Sequence, residues 1–203
     1  MTTRQRGRPR SFDRDQALRQ AVFTFWEHGY EATSVADLTH AMGIAAPSMY
    51  AAFGDKRSLF EEAVRAYAEA YGRFSARALG EPTARGAVAR LLREAAAEHT
   101  TPGRPRGCLV VSGATNTTSP EVREFLRGMR QANVRSIEER VQRGVDEGEL
   151  PPGTDAGVLA RYVGTVFQGM AQQARDGATR EQLEAVAEQA MKAWPRDTGD
   201  PRA

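Results

Sequence analysis

The stretch TSVADLTHAMGIAAPSMYAAFGDK, residues 33–56, constrains the fold of this chain more than any other. Its first half opens with two hydroxyl residues and then repeats apolar residues at helical spacing as far as Met42. Gly43 follows, and glycine readily takes the positive φ with which a helix can end and turn. Pro47 lies where a second helix would begin, in the one part of a helix that tolerates proline. The pattern predicts two short helices joined by a tight turn.

Two helices of about eight residues cannot stabilise each other without a further covering element. The preceding segment supplies one, because Asp13-x-x-Gln16 has the spacing of a helix start and an apolar face then runs to Phe25. Gly29 is expected to end this first helix. The resulting three-helix unit leaves Ser48 and Tyr50 facing outward, which predicts a helix-turn-helix that reads DNA.

Residues 10–60 resemble the DNA-binding domain of the TetR (tetracycline repressor) family. Thr39 departs from the family pattern, which often has alanine there. The resemblance implies an all-α chain with a helix-turn-helix domain at 11–57 and a helical effector-binding and dimerisation domain at 58–194. The matching positions are Phe25, Gly29, Tyr30, Thr33, Leu38, Gly43, Ile44, Ser48, Tyr50, Phe53, Lys56, Leu59 and Phe60.

Charge is distributed unevenly along the chain. Residues 1–60 carry 8 lysines and arginines against 6 acidic residues, whereas residues 61–203 carry 20 of each. The positive excess therefore lies at the end that is expected to meet DNA. The single cysteine fits a reducing cytoplasm, and the sequence has no apolar run long enough to span a membrane. We therefore expect a cytoplasmic protein.

The first ten residues form a basic arm with four arginines and no acidic residue. Such a composition is expected to be disordered in isolation. Arg6-Gly7-Arg8-Pro9 resembles the core of an AT-hook, in which Arg6 and Arg8 would enter a narrow minor groove. The alternative is a solvated tail that only attracts phosphates. A second flexible tail is expected at 195–203, which contains proline and glycine.

The expected DNA contacts come from the second short helix and its flanks. Ser48 and Tyr50 are the primary candidates, while Thr33 and Lys56 are expected to contact phosphates. Ala45 and Ala46 offer only methyl groups, which suit thymine methyls. Because the exposed face has no Arg, Asn or Gln, we expect specificity to depend strongly on DNA shape and on backbone positioning.

A long helix is expected from residue 55 to about residue 79. Five further helical segments are expected in the C-terminal part, at 84–99, 108–116, 119–147, 155–176 and 179–194, with a strand as the alternative for 108–116 because of its β-branched residues. They would enclose a pocket for a small apolar effector, although each candidate residue has core packing as its alternative. The candidates for the pocket are Leu91, Cys108, Leu109, Phe125, Met129, Phe167 and Met170.

The segment 155–176 is apolar on two sides, which in a small protein indicates contact with a second chain, with a purely intramolecular core as the alternative. In the family, two C-terminal helices from each chain form a four-helix dimer interface. The implied function is a repressor, homodimeric on a near-palindromic operator, that an effector releases. The expected interface residues are Leu159, Tyr162, Val166, Met170, Leu183, Val186 and Met191.

Two alternatives concern the chemistry of the chain. Cys108 follows a loop containing Arg104 and Arg106, and a thiol with a lowered pKa there would sense oxidants or electrophiles, as the resemblance of the run R-G-C-L to some family members suggests. The second alternative is an enzyme or a small-molecule carrier. The sequence has no catalytic motif, and its three histidines are scattered, so we expect neither an enzyme nor a metal site or cofactor.

Overall fold

The structure is a computed structural model that describes residues 12–195. Within that range it contains helices and no strand, so the all-α prediction is confirmed. No helix between residues 12 and 195 has the length and apolar character required to cross a membrane. The helices are α1 (Arg14–Ala32), α2 (Val35–Met42), α3 (Ala46–Phe53), α4 (Lys56–Tyr71), α5 (Arg73–Leu79), α6 (Ala84–His99), α7 (Leu109–Ser112), α8 (Pro120–Asp146), α9 (Ala156–Arg175) and α10 (Arg180–Lys192).

The start signals of the first helices act as the sequence predicts. The Asp13 carboxylate accepts the backbone N–H groups of Asp15 and Gln16 at the start of α1. Ser34 and Asp37 form a reciprocal capping box at the start of α2, with N–H···O distances of 3.1 and 2.8 Å. Each cap satisfies helix-terminal donors that would otherwise need water.

Two glycines set the geometry of the helix-turn-helix. Gly43 ends α2 in the left-handed region with φ of 65°. Gly29 has φ of 77° inside α1, so the end of the first helix predicted there appears as a sharp kink, after which one further turn reaches Ala32. A side chain is disfavoured at both positions because L-residues rarely adopt such φ values.

The long helix expected from residue 55 to residue 79 is divided in the structure. Gly72 lies between α4 and α5 with φ of −91° and ψ of −8°. A Cβ atom on Gly72 would lie only 2.5 Å from the carbonyl oxygen of Ala68. The close turn at residue 72 therefore requires glycine, and the apolar periodicity that continues on both sides conceals the break.

Two hydrophobic cores share the chain, and they do not coincide with the two expected domains. The N-terminal core contains the fully buried Phe25, Trp26 and Phe60 from α1 and α4. It also includes apolar residues of α7 and the first turns of α8, such as Leu109 and Leu126. The second core lies between α5, α6, α8, α9 and α10. Parts of the C-terminal sequence therefore pack directly against the helix-turn-helix, and the boundary at residue 58 stays a prediction.

Candidate nucleic-acid interface and effector cavity

Helix α3 presents one face to the core and the other to solvent. Met49 and Phe53 are buried in the N-terminal core, where α3 contacts α2 and α4, and this fixes the rotation of α3 about its axis. Tyr50 is 50% exposed, although it is a large aromatic residue, and Ser48 beside it is half-buried. The exposed face of α3 therefore offers one large aromatic ring to a partner.

The N-terminus of α3 is open to an anionic partner. Ala45 occupies the N-cap position, and no side chain accepts a hydrogen bond from the first N–H groups of the helix. Ala45 is exposed and Ala46 is half-buried, so both leave the backbone accessible. Pro47 has no N–H and the Ser48 N–H donates to the Ala45 carbonyl at 2.9 Å, so the Ala46 N–H and the positive end of the helix dipole are what this terminus offers to a phosphate.

Lys56 is held at the start of α4, beside α3, which is the recognition helix of the helix-turn-helix. Its Nζ lies 4.3 Å from the centroid of the Tyr30 ring, a cation–π contact. Partial burial lowers the pKa of Lys56, which the neighbouring carboxylates of Glu31 and Asp37 oppose. The ring fixes the position of the ammonium group, so Lys56 can serve as an ordered phosphate ligand.

The expected contact between Thr33 and a DNA phosphate is not supported by the structure. This residue is only 1% exposed, and its hydroxyl donates to the carbonyl oxygen of Gly29 at 2.6 Å. Thr33 therefore stabilises the kinked end of α1 and does not present its hydroxyl to a phosphate. Ser34 is the exposed member of the pair, and it caps α2. Because the two hydroxyl residues are adjacent, the sequence alone could not show which one is buried and which one is exposed.

Arg14 positions the recognition helix α3, a role that was not predicted from the sequence. Its guanidinium pairs with Glu62 of α4 at 2.6 Å and lies 4.4 Å from the centroid of the Phe53 ring. It also donates to the carbonyl oxygen of Ala52 at 3.2 Å, at the end of α3. One side chain thus ties α1, α3 and α4 together. The predicted minor-groove residues Arg6 and Arg8 lie outside the described residues.

The end of α1 is joined to the C-terminal part by direct hydrogen bonds. The Tyr30 N–H donates to the Gly113 carbonyl at 2.7 Å. A single carboxylate oxygen of Glu31 accepts from the Thr117 hydroxyl at 2.7 Å and from the Thr118 N–H at 2.6 Å. These hydrogen bonds hold the pKa of Glu31 below its usual range. These hydrogen bonds therefore attach the segment 113–118 directly to the end of α1.

Helix α9 contacts the same region from the other side. Arg175 at its last turn donates to the carbonyl oxygens of Trp26 and Glu27 at 3.0 and 3.2 Å. It also reaches the Ser112 hydroxyl at 3.3 Å. Because the Arg175 guanidinium is hydrogen-bonded to backbone carbonyls of α1, a shift of α9 along its axis would also act on α1.

A cavity of about 580 Å³ lies between α5, α6, α8 and α9. Its apolar lining includes Leu91 and Phe167, which are two of the seven predicted pocket residues. The rest of the lining is more polar than the apolar pocket that the sequence predicts. The polar side chains are Ser75, Asn133, Ser136, Glu139, Arg140 and Arg143.

The other five predicted pocket residues do not reach this cavity. Cys108 and Leu109 are buried in the N-terminal core, and Phe125 and Met129 pack against it. Met170 is 1% exposed within the C-terminal core. Core packing, the alternative for each of them, accounts for their positions. Their apolar character alone could not separate a cavity wall from a filled core.

The structure also corrects the expectation of a low thiol pKa at Cys108. The side chain is buried, and burial raises the pKa of the thiol, an effect that a hydrogen bond with Tyr67 only partly offsets. Arg104 pairs with Glu98, and Arg106 donates to the carbonyl oxygens of Ala174 and Ala178. The guanidinium groups of both arginines are therefore bonded to other groups. Their proximity to Cys108 in sequence did not predict an effect on the thiol pKa correctly.

The seven expected interface residues divide into two sets. Leu159, Met170 and Leu183 are buried within their own chain, while Val166 and Met191 are partly buried against the same core, so one stripe of α9 is intramolecular. Tyr162 and Val186 are 38% and 45% exposed. Val158, which the prediction missed, is 67% exposed. The large apolar residues that stay exposed on α9 and α10 in a single chain are therefore Val158, Tyr162 and Val186.

Comparison with known proteins is consistent with this geometry. Residues 17–63 match the family model described as bacterial regulatory proteins, tetR family. Residues 82–191 match the model of the tetracyclin repressor-like C-terminal domain. The chain is 35% identical over 198 residues to the HTH-type transcriptional repressor ComR of Escherichia coli K12, covering 94% of this chain and 92% of ComR. It is 31% identical over 188 residues to the repressor BdcR of the same strain, covering 92% and 91%.

Solved structures agree with the sequence relatives. A cysteine mutant of the TetR family regulator CifR, complexed with 26 bp double-strand operator DNA, has a TM-score of 0.89 and 48% identity, covering 93% of this chain and 100% of that chain. A putative TetR regulator from Rhodococcus has a TM-score of 0.62 and 38% identity, covering 91% and 100%. The helix-turn-helix with its exposed Tyr50, the helical C-terminal part and these matches together show that the chain belongs to the TetR family of transcriptional regulators, as its sequence predicted, and is not an enzyme.

Proposed function

We propose that this chain is a homodimeric transcriptional repressor whose α3 helices enter successive major grooves of a near-palindromic operator. The observation that carries the proposal is the exposed face of α3, with Tyr50 half-exposed beside an uncapped helix N-terminus. The structural relative at 48% identity was solved with double-strand operator DNA, and two relatives above 30% identity are named repressors. A two-fold dimer gives a two-fold operator because each half-site meets the same surface.

Helices α9 and α10 form the proposed dimer interface. Val158, Tyr162 and Val186 are the large apolar residues that a single chain leaves exposed there. Small residues such as Gly169 lie on the same helix, and a Cβ atom built on Gly169 meets nothing within 4 Å. The open space above α9 suits the close approach of a second helix.

Release from DNA is proposed to follow occupation of the cavity between α5, α6, α8 and α9 by a small effector. Helix α5 continues α4, which begins beside the recognition helix at Lys56. Helix α9 holds the end of α1 through Arg175. An effector that binds more tightly when these helices have moved would shift the population away from the DNA-binding arrangement.

Burial opposes the alternative of a redox or electrophile sensor through Cys108, and it outweighs the hydrogen bonds from Tyr67 and from the Val110 and Val111 N–H groups, which favour the thiolate. Its thiol is buried, its pKa is raised, and neither nearby arginine faces it. A buried thiol that shares its hydrogen bond with Tyr67 is typical of a packed core.

The DNA-binding part is tested with fluorescence anisotropy on DNA from upstream of the gene, with wild type and Tyr50→Ala. We expect salt-sensitive binding that unlabelled fragments of unrelated sequence do not compete away. Tyr50→Ala should bind at least about tenfold more weakly, since Tyr50 is a large exposed contact. Gln142→Ala, an exposed position on α8, serves as the control. Binding that is equal on all sequences, or unchanged in Tyr50→Ala, would refute the proposal.

A further inference from the structure

Arg140 is the most unusual polar residue in the wall of the cavity. Its residue surface is 3% exposed, and arginine is almost never buried so deeply without partners on all sides. The Nη2 group donates to the Pro82 carbonyl at 2.8 Å and to a Glu149 carboxylate oxygen at 3.2 Å. The Nε and Nη1 groups are buried and have no hydrogen-bond partner. Several N–H groups of one guanidinium therefore lack an acceptor.

The surroundings of Arg140 compensate only part of its charge. Glu149 is shared, because its second carboxylate oxygen accepts the Ala84 N–H at the start of α6. Burial opposes ionisation of Glu149, but the hydrogen bonds from Ala84 and Arg140 hold its pKa below the usual value. Glu139 and Arg143 line the cavity as well, and both are exposed. Two nitrogens of a residue in the cavity wall are thus donors without an acceptor.

Unpaired donors of a buried cation are costly, and a ligand acceptor can remove that cost. We propose that the cavity takes an amphipathic carboxylate, whose carboxylate accepts from Nε and Nη1 of Arg140 and whose hydrocarbon part packs on Leu79, Leu91 and Phe167. This inference rests on the proposed effector site and specifies its ligand class. It replaces the apolar effector that the sequence predicted. The volume of about 580 Å³ suits a molecule of this kind.

The burial of these two nitrogens also links binding to movement. Water does not reach them, so a carboxylate oxygen can bond with them only after the groups that cover them have moved. The same guanidinium is anchored through Nη2 to the Glu81 and Pro82 carbonyls just after α5, so such a movement involves the end of α5. Helix α5 follows α4 directly after the single residue Gly72. The hydrogen bonds that hold the ligand therefore form only when the helix that leads to Lys56 has shifted, which is the differential affinity that release requires.

The proposal is tested on the full chain without DNA, by calorimetry with straight-chain monocarboxylates from butanoate to dodecanoate and with their primary amides. We expect saturable binding by at least one carboxylate, and binding of the matched amide weaker by about tenfold or more, since the amide lacks the charge. Arg140→Lys keeps a cation for Glu149 but loses the guanidinium donors, and it should weaken carboxylate binding by a similar factor. Arg135→Gln, at an exposed position of α8 outside the cavity lining, is the control and should change it little.

Equal binding of acid and amide, no binding by any acid of the series, or full binding by Arg140→Lys would overturn the proposal. The amide comparison uses the wild-type chain and so does not depend on the folding of a variant. The same samples are then tested for DNA binding. A chain that binds carboxylates through Arg140 but binds no operator would support the ligand site and refute the repressor, which separates the two proposals.

Discussion

At the scale of single residues, His99 is buried in surroundings that disfavour its protonated form. It is 2% exposed, and its ring lies edge-on to Phe167 at 5.2 Å. Burial, together with the smaller effect of the nearby Arg104 cation, lowers the pKa of His99 from 6.5 to about 4. The folded chain therefore keeps His99 neutral at pH values at which the unfolded chain protonates it.

This shift predicts a loss of stability in mild acid. As pH falls from 6.5 to about 4, only the unfolded state gains the proton, so the free energy of unfolding should fall by up to about 3 kcal/mol and then level off. Urea denaturation at several pH values measures this, with His99→Gln compared with wild type. His28→Gln, at an exposed position, is the control. Equal pH slopes for wild type and His99→Gln would contradict the prediction.

The environment of Cys108 predicts an unreactive thiol. Because burial both raises the pKa of the thiol and blocks access, Ellman's reagent should label the native chain at least about tenfold more slowly than the chain in urea. Cys108→Ser should retain DNA binding. Labelling of the native chain as fast as that of the unfolded chain, with loss of DNA binding, would restore the redox alternative.

Lys56 is expected to contribute to DNA affinity without contributing to sequence preference. Lys56→Ala should lower affinity to a similar extent on all sequences and reduce the slope of log K against log salt by about one unit per half-site. Lys192→Ala, exposed in the last turn of α10, is the matched control. The measurement is anisotropy across a salt series. An altered sequence preference in Lys56→Ala would show that Lys56 reads bases.

At the scale of secondary-structure elements, the coupling between α1 and segment 113–118 depends on the kink at Gly29. Gly29 has φ of 77°, and a Cβ atom there would lie 3.2 Å from the Gly113 carbonyl oxygen. Gly29→Ala should therefore lower the free energy of unfolding by about 1–3 kcal/mol. Gly128→Ala in α8, where a Cβ atom has open space, should raise it by up to about 1 kcal/mol. Urea denaturation of both variants provides the test, and an unchanged Gly29→Ala would show that the kink is not required.

The element scale also shows what sequence alone could predict. The caps at Asp13, Ser34 and Thr179 are local, since each accepts from an N–H two or three residues away, and all three were readable from the sequence. The break at Gly72 was hidden because apolar residues keep helical spacing on both sides of it. Arg140 was hidden for another reason. Its partners at residues 81, 82 and 149 are distant in sequence, and an arginine amid the charged run of α8 is typical of an exposed face.

At the scale of the whole molecule, assembly is the feature that most needs a test. Gly169 lies on the exposed side of α9, and a side chain there meets no atom of its own chain. Gly169→Arg should therefore leave the fold of one chain intact while preventing the close approach of a second α9. We expect a monomer in sedimentation velocity, with normal helical content by circular dichroism. Gly128→Arg, also in open space, should remain a dimer. A dimeric Gly169→Arg would place the interface elsewhere.

The central claim, that two copies of the chain read a two-fold operator through α3, is tested most directly by selection. Random double-stranded DNA is passed over the purified chain, and the bound sequences are determined, with Tyr50→Ala and Gly169→Arg selected in parallel. We predict that wild type enriches one near-palindrome, bound by two chains or a multiple of two, and that both variants fail to enrich it. An enriched site without two-fold symmetry, or the same site recovered by Tyr50→Ala, would contradict the account.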